Sequence, residues 1–293
     1  MNKLRTRIRQ QYKGLTKGQQ RIAKYLMDHI EEVAFHTAKE LGELTGTSET
    51  TVIRLSYTLG FTGYSELQKL IQDHILLKQQ SDALARYRDS ASMLSDRKSW
   101  IQDTIKEDMD FIQKTMHAID EQLLEHIVEK ILDTENIFIA GARSSFAPAS
   151  WLHFCLNIVK GNTHLYRGNM DDAIYYISQL TDKSLVIAFS FPRYADETVS
   201  FVKAAKKKEA SLLAITDHEL SPIGFIADYL LKVKTSIPTA LKGMPVIFSV
   251  LNVIVNGIAV HDFENVQKRI GKYDHISKES GLFPFAKKIN VNE

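Results

Sequence analysis

Residues 37–60 read TAKELGELTGTSETTVIRLSYTLG, two short amphipathic stretches joined by a break. Ala38, Leu41 and Leu44 recur at helical spacing and mark the inward side of a first helix. Gly46 supplies the break, because a tight turn between helices favours a residue that tolerates positive φ. Ser48 then offers a side-chain oxygen to the exposed N–H groups of the next helix, and Glu49 sits at that helix's positive end. In the second helix Val52, Leu55 and Leu59 form the inward stripe at i, i+3 and i+7. Thr50, Arg54 and Tyr57 project the other way, and hydroxyls beside a guanidinium suit phosphate and base-edge contacts. The segment therefore predicts a helix-turn-helix that reads DNA. An ordinary helical hairpin would show the same stripe beneath a charged, solvated face.

A chain of 293 residues accommodates two domains of ordinary size. Its 44% hydrophobic and 25% charged content are those of a soluble globular protein. No run of about 18 apolar residues is present, so no membrane span is expected. The most apolar stretch, 244–260, contains Asn252, Asn256 and Gly257 and reads as a buried helix. The opening MNKLRTRIRQQYKG lacks an apolar core and a small-residue cleavage site, so it does not read as a signal peptide. One cysteine, Cys155, excludes an intramolecular disulfide framework and fits a reducing cytoplasm. The net charge of +2 conceals an asymmetry: residues 1–24 carry Lys3, Arg5, Arg7, Arg9, Lys13, Lys17, Arg21 and Lys24 with no acidic residue. Such a block attracts a DNA backbone without sequence preference.

The first domain is expected over 1–77. Thr16–Gln19 reads as a capping box, T-x-x-Q, opening a helix whose Ile22, Leu26 and Ile30 face inward. After the helix pair, Gly60 and Gly63 break the chain before Tyr64, Leu67, Leu70 and Ile71 resume helical spacing. Residues 78–104 are polar and read as a partly helical linker, or as extensions of the flanking helices. From about 105 to 293 short apolar strands alternate with amphipathic helices. Strands are expected at 136–140, 163–166, 184–189, 211–215 and 229–233, with helices near 146–160, 171–180, 195–208, 221–227 and 244–260. This alternation predicts an α/β three-layer sandwich around a five-stranded parallel sheet.

In an open parallel sheet, ligands gather at the carboxyl ends of the strands. Two such junctions suit an anion. The first, IFIAGARSSFAPAS, places Gly141, Arg143, Ser144 and Ser145 between a strand and a helix, with hydroxyls, a guanidinium and helix N–H groups in reach of negative charge. Plain serine capping of the helix would explain the same residues. The second, LVIAFSFPRYADET, brings Ser190, Pro192 and Arg193 to a strand end, with Thr198 in the first turn of the next helix. Arg193 could instead be a surface or subunit-contact residue. At a third junction Thr216 and Asp217 read as turn-holding residues.

Other chemistries find little support. The ten histidines include no i, i+4 pair and the lone cysteine removes thiolate metal sites, so neither a metal nor a cofactor is expected. Cys155 lies among Leu152, Phe154 and Leu156 and reads as a packed thiol rather than a nucleophile. His261 and Glu264 occupy a late helical segment where an acid or base could sit, with packing or surface roles as the alternative.

The chain as a whole resembles the RpiR-like bacterial transcription regulators, which join a helix-turn-helix head to a SIS (sugar isomerase) domain. The matching stretches are LTKGQQRIAKYLMDH and TSETTVIRL followed by LGFTGYSEL in the head, then IFIAGARSS, LVIAFS and LLAITDHELSPIGFIADYLLKV. The resemblance implies a cytoplasmic homodimer or homotetramer that binds double-stranded DNA at a palindromic operator and senses a small anionic effector, a phosphorylated sugar or amino sugar. It implies no catalysis. The rivals are a sugar-phosphate isomerase with a regulatory head, and a second domain that serves assembly alone. DNA contact falls to Ser48, Glu49, Thr50, Thr51, Arg54 and Tyr57, and effector contact to Gly141, Arg143, Ser144, Ser145, Ser190, Arg193 and Thr198. The family's loops read G-x-G-x-S and S-x-S-G-x-T. Here Arg143 replaces the second glycine of the first, while Pro192, Arg193 and Ala195 stand at the serine, glycine and threonine of the second. Paired guanidiniums suit a phosphate and equally a carboxylate.

Overall fold

The computed structural model describes residues 2–75, 99–234 and 243–280, which fall into two compact units, 1–82 and 83–293. Most of the expected linker lies outside the described residues. Its last part does not: helix begins at Trp100.

The first unit is all helical: α1 (Asn2–Gln11), α2 (Lys17–Asp28), α3 (Ile30–Val33), α4 (Ala38–Leu44), α5 (Glu49–Thr58) and α6 (64–75). Thr16 and Gln19 form the expected capping box at the start of α2. A second one, Thr37 with Glu40, opens α4. The core gathers Ile22, Leu26, Leu41, Val52, Leu55, Leu59, Leu67 and Ile71. Leu4 and Ile8 join it from α1, so the basic N-terminal stretch is also a structural helix.

Three expected core positions differ. Leu44 and Leu70 are exposed, and Ile30 begins a new helix after the chain breaks at His29. At α4 the buried side is Leu41 with Gly42, where a Cβ would crowd the backbone of 47–49 at 3.1 Å. Gly46 takes the expected left-handed turn, φ +61°.

The second unit begins with α7 (Trp100–Met116) and α8 (Glu121–Asp133) and continues through β1 (Ile137–Gly141), α9 (Phe146–Val159), β2 (Thr163–Tyr166), α10 (Ala173–Gln179), β3 (Leu185–Phe189), α11 (Asp196–Lys207), β4 (Ser211–Thr216), β5 (Tyr229–Lys232), α12 (Met244–His261) and α13 (Phe263–Ser280). All strand pairs are parallel and the spatial order is β2-β1-β3-β4-β5. Each strand lies within a residue of its expected position, because a parallel strand covered on both faces reads as an unbroken apolar run. Ile139 of β1 sits beside Leu165 of β2 and Ile187 of β3, all in the layer that packs against the helices.

Helix α12 is apolar and long enough to cross a membrane, but Val246, Ile247, Val250, Leu251, Ile254 and Ile258 are buried in this core. The helix expected at 221–227 is only a single tight turn at Gly224–Ile226. A Cβ on Gly224 would come within 2.8 Å of the His218 carbonyl, so the segment is folded back on itself and has no room to extend as a helix.

The order 2-1-3-4-5 reverses direction between β1 and β3. Their carboxyl ends therefore face a common crevice, where helices depart to opposite sides of the sheet.

Candidate functional site

The first site is the outer face of the head. Ser48 caps α5: its Oγ accepts from the Thr51 N–H at 3.3 Å and lies 2.9 Å from the Thr51 hydroxyl. Thr51 is half-buried against α2, where a Cβ on Gly18 would approach its methyl. Ser48 and Thr51 thus order the helix start. Glu49, Thr50, Arg54 and Tyr57 are exposed, with Thr50, Arg54 and Tyr57 on the face opposite Val52, Leu55 and Leu59.

Part of the basic N-terminal stretch acts within the fold. Arg7 donates to the Leu59 carbonyl at 3.3 Å and lies over the Phe61 ring, holding the carboxyl end of α5. Arg21 donates to the Gly46 carbonyl at 2.7 Å and secures the turn. Both place a cation on carbonyl groups at helix ends, where the dipole favours it. Arg9, Lys13 and Lys17 are exposed.

The second site is a cleft of about 350 Å³ at the β1/β3 crevice, lined by residues 142–145 on one side and 191–196 on the other. On the first wall stand Arg143, Ser144 and Ser145; on the second, Phe191, Pro192, Arg193 and Ala195. Gly141 does not line the cleft. Its role is spatial: a Cβ there would lie 2.5 Å from the Ser145 carbonyl oxygen, so only glycine lets the following turn close onto the strand. Ser145 precedes α9 without capping it through its side chain, and Ala195 precedes α11 likewise. Plain serine capping therefore does not account for the first loop.

Arg143 and Arg193 share an unusual backbone. Both lie in the left-handed region, at φ +57° and +81°, which side chains other than glycine enter at a cost. Neither guanidinium has a hydrogen bond or ion pair among the described residues. Two unpaired cations held in strained backbone on facing loops are the chemical signature of this cleft.

Three interactions brace it from behind. Thr198 is buried, does not line the cleft, and its hydroxyl accepts from the Ala142 N–H at 3.0 Å, tying the first loop to α11. Thr216 donates to the Ser190 carbonyl at 2.6 Å. Tyr194 donates to Asp217 at 3.1 Å, and burial pushes both groups above their ordinary pKa values. Thr216 and Asp217 thus hold the neighbouring loop, and Thr216 also donates to Asp217 at 3.2 Å within their own turn. Ser190 also lies outside the cleft lining; its Oγ is buried without a hydrogen-bond partner.

His261 and Glu264 do not line the cleft either, and Asp196 is the carboxylate that does. Burial raises the Cys155 thiol above its usual value, as for a packed residue. No group of three or more histidine, cysteine or carboxylate side chains that could hold a metal occurs among the described residues.

A helical head with a solvent-facing second helix, followed by a parallel-sheet domain, defines a helix-turn-helix regulator with an attached α/β domain. Comparisons with known proteins agree. Residues 1–76 match the helix-turn-helix domain of the rpiR family and residues 130–257 the SIS domain. The chain is 26% identical over 227 residues to an uncharacterised HTH-type transcriptional regulator of Haemophilus influenzae, covering 75% of this chain and 76% of that one. A second HTH-type regulator, from Providencia stuartii, is 23% identical over 202 residues and 68% of each chain. Among solved structures, the sugar isomerase domain of an RpiR transcription factor from Sphaerobacter thermophilus superposes with a TM-score of 0.56 at 23% identity, over 61% of this chain and 99% of that one. The Vibrio vulnificus NanR protein complexed with ManNAc-6P gives 0.56 at 20% identity, over 94% and 98%. The chain belongs to the RpiR-like family of transcription regulators.

Proposed function

We propose that this regulator reads a palindromic operator through Thr50 and Arg54 of α5, with Ser48, Glu49 and Thr51 ordering the helix start and nearby phosphates and Tyr57 on the DNA backbone. Its 105–293 domain senses a small anionic metabolite, a phosphorylated sugar or amino sugar, in the cleft between β1 and β3. The observation that carries this reading is the pair of unpaired guanidiniums, Arg143 and Arg193, facing one crevice. Gly141, Ser144, Ser145, Ser190 and Thr198 complete the effector region, Gly141 and Thr198 by shaping the loops. The buried, unpaired Ser190 hydroxyl lies at the end of β3, outside the cleft lining. The sugar phosphate bound to the Vibrio regulator fits this class of ligand.

One head reads only a half-site, so the working form is a cytoplasmic homodimer or dimer of dimers. The exposed apolar side chains of α7, among them Trp100, Ile105 and Met109, are suited to a second copy. Effector binding changes operator affinity by favouring one arrangement of the two heads over another.

The isomerase alternative has weaker support. Among the described residues Asp196 is the sole carboxylate lining the cleft, and the Tyr194 hydroxyl is already engaged by Asp217. The test is a thermal-shift screen of phosphorylated sugars, amino sugars and small carboxylates, with every hit retested for operator release and for aldose–ketose turnover. Operator release without turnover is the expected result. Turnover would establish the enzyme, and the absence of any ligand effect on stability or DNA affinity would favour an assembly module.

A further inference from the structure

We propose that the effector carries two anionic groups of different shape, a phosphate on the first wall of the cleft and a carboxylate on Arg193, as in a phosphorylated sugar acid. The inference rests on the sensing function proposed above and narrows it.

The two walls offer different chemistry. The first presents a guanidinium and two hydroxyls. Side-chain donors converging from several directions suit the three oxygens of a phosphate. The second wall has almost no such side-chain donors. Pro192 has no N–H, Ala195 has no hydroxyl, and the Tyr194 hydroxyl is held by Asp217. Asp196 in the first turn of α11 places a negative charge where an anion would otherwise meet that helix. What remains is the Arg193 guanidinium beside Phe191 and Pro192. A planar fork of parallel N–H groups matches a carboxylate in two-point fashion.

The backbone supports a dedicated role for both arginines. A left-handed conformation that glycine would adopt without strain is occupied by arginine on each loop, so the side chain is retained against a local cost. Facing walls that each offer a cation of different surroundings recognise a molecule with an anion at each end.

The test uses the full chain and four probes in calorimetric titration: 6-phosphogluconate, glucose 6-phosphate, gluconate and inorganic phosphate. The first two share a phosphorylated six-carbon chain and differ at the end that carries the carboxylate. The expected result is at least thirtyfold tighter binding of 6-phosphogluconate than of glucose 6-phosphate, with gluconate and phosphate weaker still. Arg193→Gly brings the two phosphorylated probes within threefold of each other. Arg193→Lys, which keeps the charge without the planar fork, restores only part of the preference. Arg143→Gly weakens both phosphorylated probes together. The glycine variants should melt no lower than the unaltered protein, because glycine accepts these backbone angles. Equal binding of the two phosphorylated probes, or a preference that survives Arg193→Gly, overturns the two-anion assignment while leaving sugar-phosphate sensing in place. Binding of none of the four by a protein that still holds operator DNA overturns both.

Discussion

The backbone N–H of Ala142 donates to the hydroxyl of Thr198 across 3.0 Å, fastening the loop after β1 to the helix that follows β3. This bond links the two sides of the cleft from behind.

Replacing Thr198 with valine keeps the shape and removes the acceptor. The Ala142 N–H is then left without its partner, at a cost of about 1–3 kcal/mol. Urea unfolding followed by tryptophan fluorescence measures it cleanly, since both tryptophans, Trp100 and Trp151, belong to the second unit. A midpoint identical to that of the unaltered protein would show that Thr198 does not brace the loop.

Arg54→Ala should reduce operator affinity by about 1–3 kcal/mol and relax discrimination at the base pair it reads. The side chain is exposed and makes no hydrogen bond to the head, so helicity by circular dichroism should be unchanged. Fluorescence anisotropy on operator and single-base variants gives both quantities. Uniform weakening on all sequences would instead make Arg54 a phosphate contact.

The basic residues at the N-terminus should separate into two groups. Arg7→Ala removes a charged hydrogen bond and a ring contact, and should lower head stability by about 1–3 kcal/mol. Lys17→Ala, exposed at the start of α2 and one residue before Gly18, which packs on Thr51, should leave the melt unchanged and reduce the salt slope of DNA binding by about one. Titrations at several salt concentrations, paired with circular-dichroism melts, distinguish them.

Burial raises the Asp217 carboxyl above its usual range, so the folded chain holds that proton more tightly than the unfolded one. Linkage then fixes the sign: the contribution to stability is fully present below the ordinary carboxyl pKa and is lost as pH rises through the elevated folded value. Asp217→Asn abolishes the titration while still accepting from Tyr194. The difference in stability between variant and parent should therefore grow in the variant's favour as pH rises across that window. Urea midpoints in a pH series read it, and a difference independent of pH would exclude Asp217 as the titrating group.

Much of this architecture is legible in the chain itself. The five strands announce themselves as apolar runs such as Leu185–Phe189, buried along their whole length. The helix-turn-helix is legible because cap, turn glycine and inward stripe occur together at Ser48, Gly46 and Val52–Leu59. Helix α1 is not, since Leu4 and Ile8 are its two core-facing apolar anchors among charged residues. Leu44 satisfies the spacing of a buried position yet lies exposed, because Leu41 and Gly42 form the contact with α5's approach. The effector loops show the limit most clearly. Sequence identifies Arg143 and Arg193 as arginines at glycine positions of the family pattern, but periodicity carries no information about φ. Nor does it reveal that Thr198 faces Ala142, a contact set by the strand order.

The left-handed arginines also bear on how such a regulator can change its specificity over evolutionary time. Every arginine codon lies one base away from some glycine codon. At Arg143 and Arg193 the backbone already holds the angles that glycine prefers. A point mutation in either direction therefore swaps a charged grip for an open backbone while the sheet, the helices and the DNA-reading head stay as they are. Lineages carrying this fold can try new metabolites without first rebuilding the protein that recognises them.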